Sequence, residues 1–121
     1  MRPRRRYLIF SARSPVPLSA EELREALRET MRSLFGERAL ALSGFELALY
    51  DAAKGLGVVR CHHTYVDAAR TALAMTTSVR GLSVALTTLR VTGTLRKAAR
   101  VVASLEPARN SPVRLMEGLQ S

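Results

Sequence analysis

Apolar and polar positions along the chain fall into blocks whose period changes from one block to the next. Residues 6–13, RYLIFSAR, centre on an apolar run and stop at Ser14-Pro15-Val16-Pro17, where two prolines exclude both helix and central strand. Ser19-Ala20-Glu21-Glu22 is a capping box, and Leu23, Leu27, Met31 and Leu34 then recur at helical spacing. The opposite face of that helix carries Glu21–Arg24, Glu25–Arg28 and Glu29–Arg32, pairs of opposite sign that neutralise one another, and Gly36 is expected to end it. In residues 44–51, GFELALYD, Phe45, Leu47 and Leu49 alternate with Glu46, Ala48 and Tyr50, the period of a half-buried strand. Ala52-Ala53-Lys54-Gly55 is the turn before a return strand over 57–63, GVVRCHH. The Ala-rich stretch from about Val66 to Thr77 is helical by propensity. Residues 82–91 predict a strand whose alternation slips, with Leu82, Val84 and Leu86 on one parity and Leu89 and Val91 on the other. A bulge near Thr87-Thr88 reconciles them. A last helix is expected over 94–105. Beyond it Pro107 and Pro112 punctuate a polar tail with a weak helical pattern at Val113, Met116 and Leu119.

The order is βαββαβα. Two βαβ halves of this kind fold as an α+β sandwich, ferredoxin-like or RRM-like, with a four-stranded antiparallel sheet and two helices on one face, followed here by a C-terminal helix. One domain over 1–105 and a tail over 106–121 are expected. In this topology the first and third strands are central and the fourth pairs with the first, so Arg4-Arg5-Arg6 would approach Gly93-Thr94-Leu95-Arg96-Lys97.

Charge sharpens the picture. The chain of 121 residues carries net charge +9, with seventeen Arg to two Lys. Residues 1–38 hold nine Arg against five Glu, 39–79 are balanced, and 80–121 hold seven basic residues against two acidic ones. The excess therefore sits in the two ends, which the topology would join into one basic surface suited to phosphate. A single cysteine, Cys61, excludes an internal disulfide and fits a reducing compartment. No apolar run reaches membrane-spanning length, and YLIF is too short for a signal peptide, so a cytoplasmic protein without membrane contact is expected.

The stretch VTGTLRKAAR, 91–100, concentrates the question. With Thr94 as N-cap, Arg96 and Lys97 fall in the first helical turn, where the helix dipole disfavours cations. Gly93 permits close backbone approach, free N–H groups donate to an anion, and the two cations supply charge, all of which suit a nucleic-acid phosphate. An ordinary strand-to-helix turn with solvated bases is the plain alternative. Base stacking on the sheet has weak support, since Tyr7 and Phe10 have opposite parity. Adjacent His62 and His63 point to opposite strand faces and cannot share a metal ion, and there is no second Cys/His cluster. No G-x-S-x-G, carboxylate pair or Walker loop is present. Neither a catalytic residue nor a metal or cofactor held by the chain itself is therefore expected. An acylphosphatase-type ferredoxin-like hydrolase would need an Arg after the first strand, where Arg13 stands, and an Asn. The one Asn, Asn110, is in the tail. A pure protein-interaction domain, its charge serving solubility, is a third reading.

Arg5-Arg6-Tyr7-Leu8, Gly57-Val58-Val59-Arg60-Cys61 and Val91-Thr92-Gly93-Thr94-Leu95-Arg96-Lys97 occur in an order and spacing that resembles the archaeal ribonuclease P protein component 2 family, relatives of a eukaryotic subunit of ribonuclease P and of the mitochondrial-RNA-processing ribonuclease. The likeness covers roughly residues 4–105; the tail lacks the acidic extension of eukaryotic relatives. It implies an RRM-like domain that binds the catalytic domain of ribonuclease P RNA, and a partner, ribonuclease P component 3, in a complex of two copies of each. The holoenzyme is an endoribonuclease that removes the 5′ leader of precursor tRNA, with the chemistry and its Mg²⁺ belonging to the RNA. Precursor tRNA is then met only indirectly. On this reading Arg4, Arg5, Arg6, Arg60, Gly93, Thr94, Arg96, Lys97 and Arg100 are the expected RNA contacts. Ile9 and Val58, on the open sheet face, are the expected protein interface.

Overall fold

The apolar run near the N-terminus becomes strand β1 (Arg5–Arg13), in which Leu8, Ile9 and Phe10 are all fully buried. A strand that is apolar on both sides needs cover on both sides, and this requirement shapes the molecule. The computed structural model describes residues 4–107. Helix α1 (Ala20–Ser43) leads to strands β2 (Glu46–Asp51) and β3 (Leu56–His62), and a single 3₁₀ turn at His63–Tyr65 leads into α2 (Val66–Met75). A two-residue hairpin, β4 (Ser78–Val79) and β5 (Leu82–Ser83), precedes β6 (Ala85–Thr92) and α3 (Leu95–Ser104). The main sheet is antiparallel in the order β2-β3-β1-β6, the expected α+β arrangement with the first and third of its strands inside.

On one side Leu8, Phe10, Ala12, Val59, Cys61 and Leu86 pack against Leu23, Leu27 and Met31 of α1 and Ala69, Ala72 and Leu73 of α2. On the other, Ile9, Leu56 and Val58 form a second buried cluster with Ala98 and Val102 of α3. The C-terminal helix therefore fills the face that a two-helix sandwich leaves open. This corrects the expectation that Ile9 and Val58 face a protein partner: both are 0% exposed, because an i, i+4 pair on α3 sits over them.

Local expectations also change in three elements. Gly36 does interrupt α1, with φ +93° and ψ +166°, but the chain resumes helical geometry beyond it. The cap is Gly44, in the left-handed region at φ +65°. Arg32 pairs with both Glu29 and Glu37 and so spans the break. Glu21–Arg24 and Glu25–Arg28 form no ion pair among the described residues, and Leu34 is 41% exposed, while Leu40 beyond the kink is buried instead. In β2 the register against β3 shifts between Leu47 and Leu49, so Leu49 joins the α3 side while Phe45 and Leu47 stay with α1. In β6 the register shift falls between Thr88 and Arg90, leaving Leu89 as the extra residue, 47% exposed. The weak helical pattern at Val113, Met116 and Leu119 lies outside the described residues.

Lys54, in the turn between β2 and β3, holds the far end of α3. Its Nζ donates to the carbonyls of Val102 and Ala103, each at 3.0 Å, placing a cation on two carbonyls of the last helical turn. Lys54→Met keeps the aliphatic stem and removes the donor. Chemical denaturation is expected to show a loss of about 1–2 kcal/mol, from the hydrogen bonds and the helix-dipole contact together.

Candidate nucleic-acid interface

Directly opposed residues of antiparallel strands share a face, so the register sets out the side chains on the α3 side as rows. The first row is Leu49, Val58, Ile9 and Arg90. Its middle lies under α3. The second row is Glu46, Arg60, Tyr7 and Thr92, and the third is His62 and Arg5. From the first row to the third the character changes from apolar to cationic and aromatic. This end of the sheet is also where β6 passes into α3.

Helix α3 begins there because Thr94 is extended (φ −140°, ψ +151°) and its Oγ1 accepts from the Lys97 N–H at 3.1 Å. Its first turn holds no acid, and Arg96 and Lys97 are exposed. Lys97 and Arg100, with Arg90 and Thr92 of the edge strand β6, line an open groove floored by Val101 and Ser104. Gly93 has no positive φ, and a Cβ built on it meets nothing within 4 Å. Its backbone is therefore ordinary and uncovered.

The expected residues do not all meet. Arg5 and Arg60 belong to the α3 side of the sheet, Lys97 and Arg100 line the groove beside it, and Gly93, Thr94 and the exposed Arg96 stand at the turn where α3 begins. Arg6 alternates to the side of Leu8 and Phe10, with its Nη1 on the Arg5 carbonyl at 3.0 Å. Arg4 lies one step beyond β1, where its carbonyl accepts from the His63 N–H at 2.8 Å and prolongs the ladder. Arg90 and His62 belong to the surface and were not foreseen. Arg90 shares its sequence parity with Val84 and Leu86, and only the bulge at Leu89 turns it to the other face. The alternation slip was the signal that could have found it.

The cations here are sparsely engaged. Arg60 Nη2 lies 3.7 Å from Glu46 Oε2, a loose and half-exposed pair. Such a pair contributes little to stability and leaves the guanidinium available to a phosphate. Cys61 is buried between Arg60 and His62, and burial pushes its thiol up to about 11, so it is protonated and inert at neutral pH. Among the described residues no group of three or more His, Cys, Asp or Glu is placed to hold a metal ion, and no helix is long and apolar enough to cross a membrane.

Known proteins share this plan. A ribonuclease P protein component 2 from Archaeoglobus fulgidus is 37% identical over 100 residues, covering 83% of this chain and 89% of the relative. One from Aeropyrum pernix is 34% identical over 105 residues, covering 85% of each. A chain in a cryo-electron-microscopy structure of yeast ribonuclease MRP has the same fold, with TM-score 0.64 over 99% of this chain and 92% of that one, at 15% identity. The Rpp14/Pop5 family matches residues 6–103, from the second residue of β1 to the last turn of α3. All three rows and the start of α3 lie almost wholly inside that span, and the chain belongs to the Rpp14/Pop5 family.

Proposed function

We propose that this chain is a protein subunit of ribonuclease P that binds the RNA of that enzyme and supports removal of the 5′ leader from precursor tRNA. The observation that carries the reading is the register of β1 with β3 and β6. It sets the basic start of the chain (Arg5) beside the middle (Arg60), and both beside Thr92, which shares a groove with Arg90, Lys97 and Arg100. Membership of the Rpp14/Pop5 family and the archaeal ribonuclease P relatives support ribonuclease P RNA as the RNA bound.

The chain's contribution is electrostatic. Guanidinium groups take phosphate oxygens in pairs, and each phosphate neutralised lets RNA strands approach and hold a catalytic fold. Within this reading the RNA carries the bond-breaking chemistry and binds the Mg²⁺. Ribonuclease P component 3 is the protein partner, in a complex of two copies of each. With Ile9 and Val58 under α3, the exposed apolar side chains of α1 near the Gly36 break, Leu34, Phe35 and Leu42, are the ones left for that partner. Among the described residues nothing favours the acylphosphatase-type reading: Arg13 ends β1, and Asn110 lies outside them.

Reconstitution tests the proposal. Ribonuclease P RNA with the full set of protein components is expected to remove the leader at moderate Mg²⁺, to need far more Mg²⁺ when this chain is left out, and to show no cleavage by the chain alone. Binding to that RNA should weaken linearly in log–log form with salt, with a slope of about −3 to −6 if about four to seven phosphates are neutralised. Cleavage by the purified chain under chelator and ribonuclease-inhibitor controls, or affinity indifferent to salt, overturns it.

A further inference from the structure

Tyr7 stands where the neighbouring chemistry gives an aromatic ring a second use. Its direct neighbours across the strands are Arg60 and Thr92, Arg5 shares its face along β1, and Arg90 is diagonal to it on β6. One part of Tyr7 packs against the buried cluster of Ile9, Val58, Ala98 and Val102, which fixes the ring, and the rest remains at the surface. The other phenyl and phenol rings of the chain lie elsewhere. Phe10, Phe45, Tyr50 and Tyr65 belong to the cluster on the α1 and α2 side, and Phe35 is exposed on α1. A lone, anchored ring among four cations of the sheet and the start of α3 combines a stacking platform with charge for the flanking phosphates.

We infer that Tyr7 is a stacking site for an unpaired base of the bound RNA, with Arg60 and Arg5 on one side and Arg90 and Lys97 on the other taking the adjoining phosphates. The site then selects single-stranded nucleotides over continuous duplex, because a base within a duplex has no free face to offer. This rests on the proposed RNA-binding function and narrows it to a class of RNA. The competing account is that Tyr7 only seals the edge of the α3 cluster, a task leucine performs equally well.

Stacking and ion pairing separate by salt. Titrations would use a labelled single-stranded RNA of mixed sequence and a duplex of the same sequence. Tyr7→Leu is expected to weaken single-strand binding roughly fivefold to a hundredfold, with the log–log salt slope and duplex affinity unchanged. Tyr7→Phe should restore binding. Arg60→Ala, by contrast, should make the slope shallower by about one unit. A second measurement does not depend on the leucine variant folding. The chain has no tryptophan, so Tyr7→Trp introduces a sole indole, and stacking predicts strong quenching of its fluorescence at saturating single-stranded RNA. Single-strand binding by Tyr7→Leu equal to that of the unaltered chain, or an unquenched indole in the bound complex, overturns the inference while leaving the proposed function intact. Failure of the unaltered chain to bind either RNA at low salt overturns both.

Discussion

Replacing both Arg96 and Lys97 with glutamate is expected to lower affinity for ribonuclease P RNA at least tenfold while leaving the fold intact or slightly more stable. Both side chains are exposed in a first turn that holds no acid, and Thr94 already caps the helix through its hydroxyl. Their exchange for carboxylates therefore removes no packing and improves the match to the helix dipole, a gain of up to about 1 kcal/mol. For RNA the sign is opposite: two attractions become repulsions, and the salt slope should become shallower by about two units. Filter binding and thermal melts on one protein preparation read both effects. A variant that loses stability and keeps its affinity would show that the RNA lies on another surface. Gly93→Val is the companion. Its ordinary φ and uncovered Cβ position leave stability nearly unchanged, so any loss of binding reports close approach of the RNA backbone at that turn.

The largest loss of stability is expected from Gly57→Val. Gly57 is buried opposite Phe10 across the two central strands. A Cβ there would stand 2.5 Å from Cζ of Phe10, 2.8 Å from its Cε1 and 3.2 Å from the Leu49 carbonyl oxygen. Phe10 is fully buried and has no open side to swing toward. Overpacking of this kind costs about 1–3 kcal/mol, and valine adds two further methyl groups to the clash. Urea unfolding should show a lowered midpoint with little change in slope. Phe10→Leu in the same chain should recover part of the loss, because the ring is the obstacle.

What the sequence disclosed depended on the range of the interaction. The capping box at Ser19, the alternation of Phe45 and Leu47, and the βαββαβα order are local, and each appears in the structure close to where it was expected. The β6 slip was legible too, and its bulge sits within a residue or two of the expected site. Less visible was anything decided by a distant neighbour. Ile9 and Val58 look alike whether a partner or the chain's own helix covers them, and the answer depends on where Ala98 and Val102 fold back. Leu49 follows the parity of Leu47 along the sequence, and only its register against Val58 sends it to the other face. Arg90 escaped notice for the same reason, and with it one wall of the groove beside α3. The cationic residues themselves were easy to pick out, but their sides of the sheet had to be read from the pairing. That is why Arg6 parts company with Arg5.

The pairing of Tyr7 with Thr92 also governs how the chain comes to be folded. The most apolar strand is made early and lies inside the sheet, while β6, which closes one of its edges, is made after α1, β2, β3 and α2. Throughout that interval Leu8, Ile9 and Phe10 lack part of their cover, and Ile9 lacks Ala98 and Val102 above it until α3 follows. Helix α1 and the β2–β3 hairpin can form from near neighbours, but the sheet closes only by a loop that takes in most of the chain. Closing a long loop before its contacts form slows folding. During synthesis on the ribosome the run YLIF is therefore the segment that waits longest. It is also the segment a chaperone would hold, and the first to aggregate if β6 arrives late.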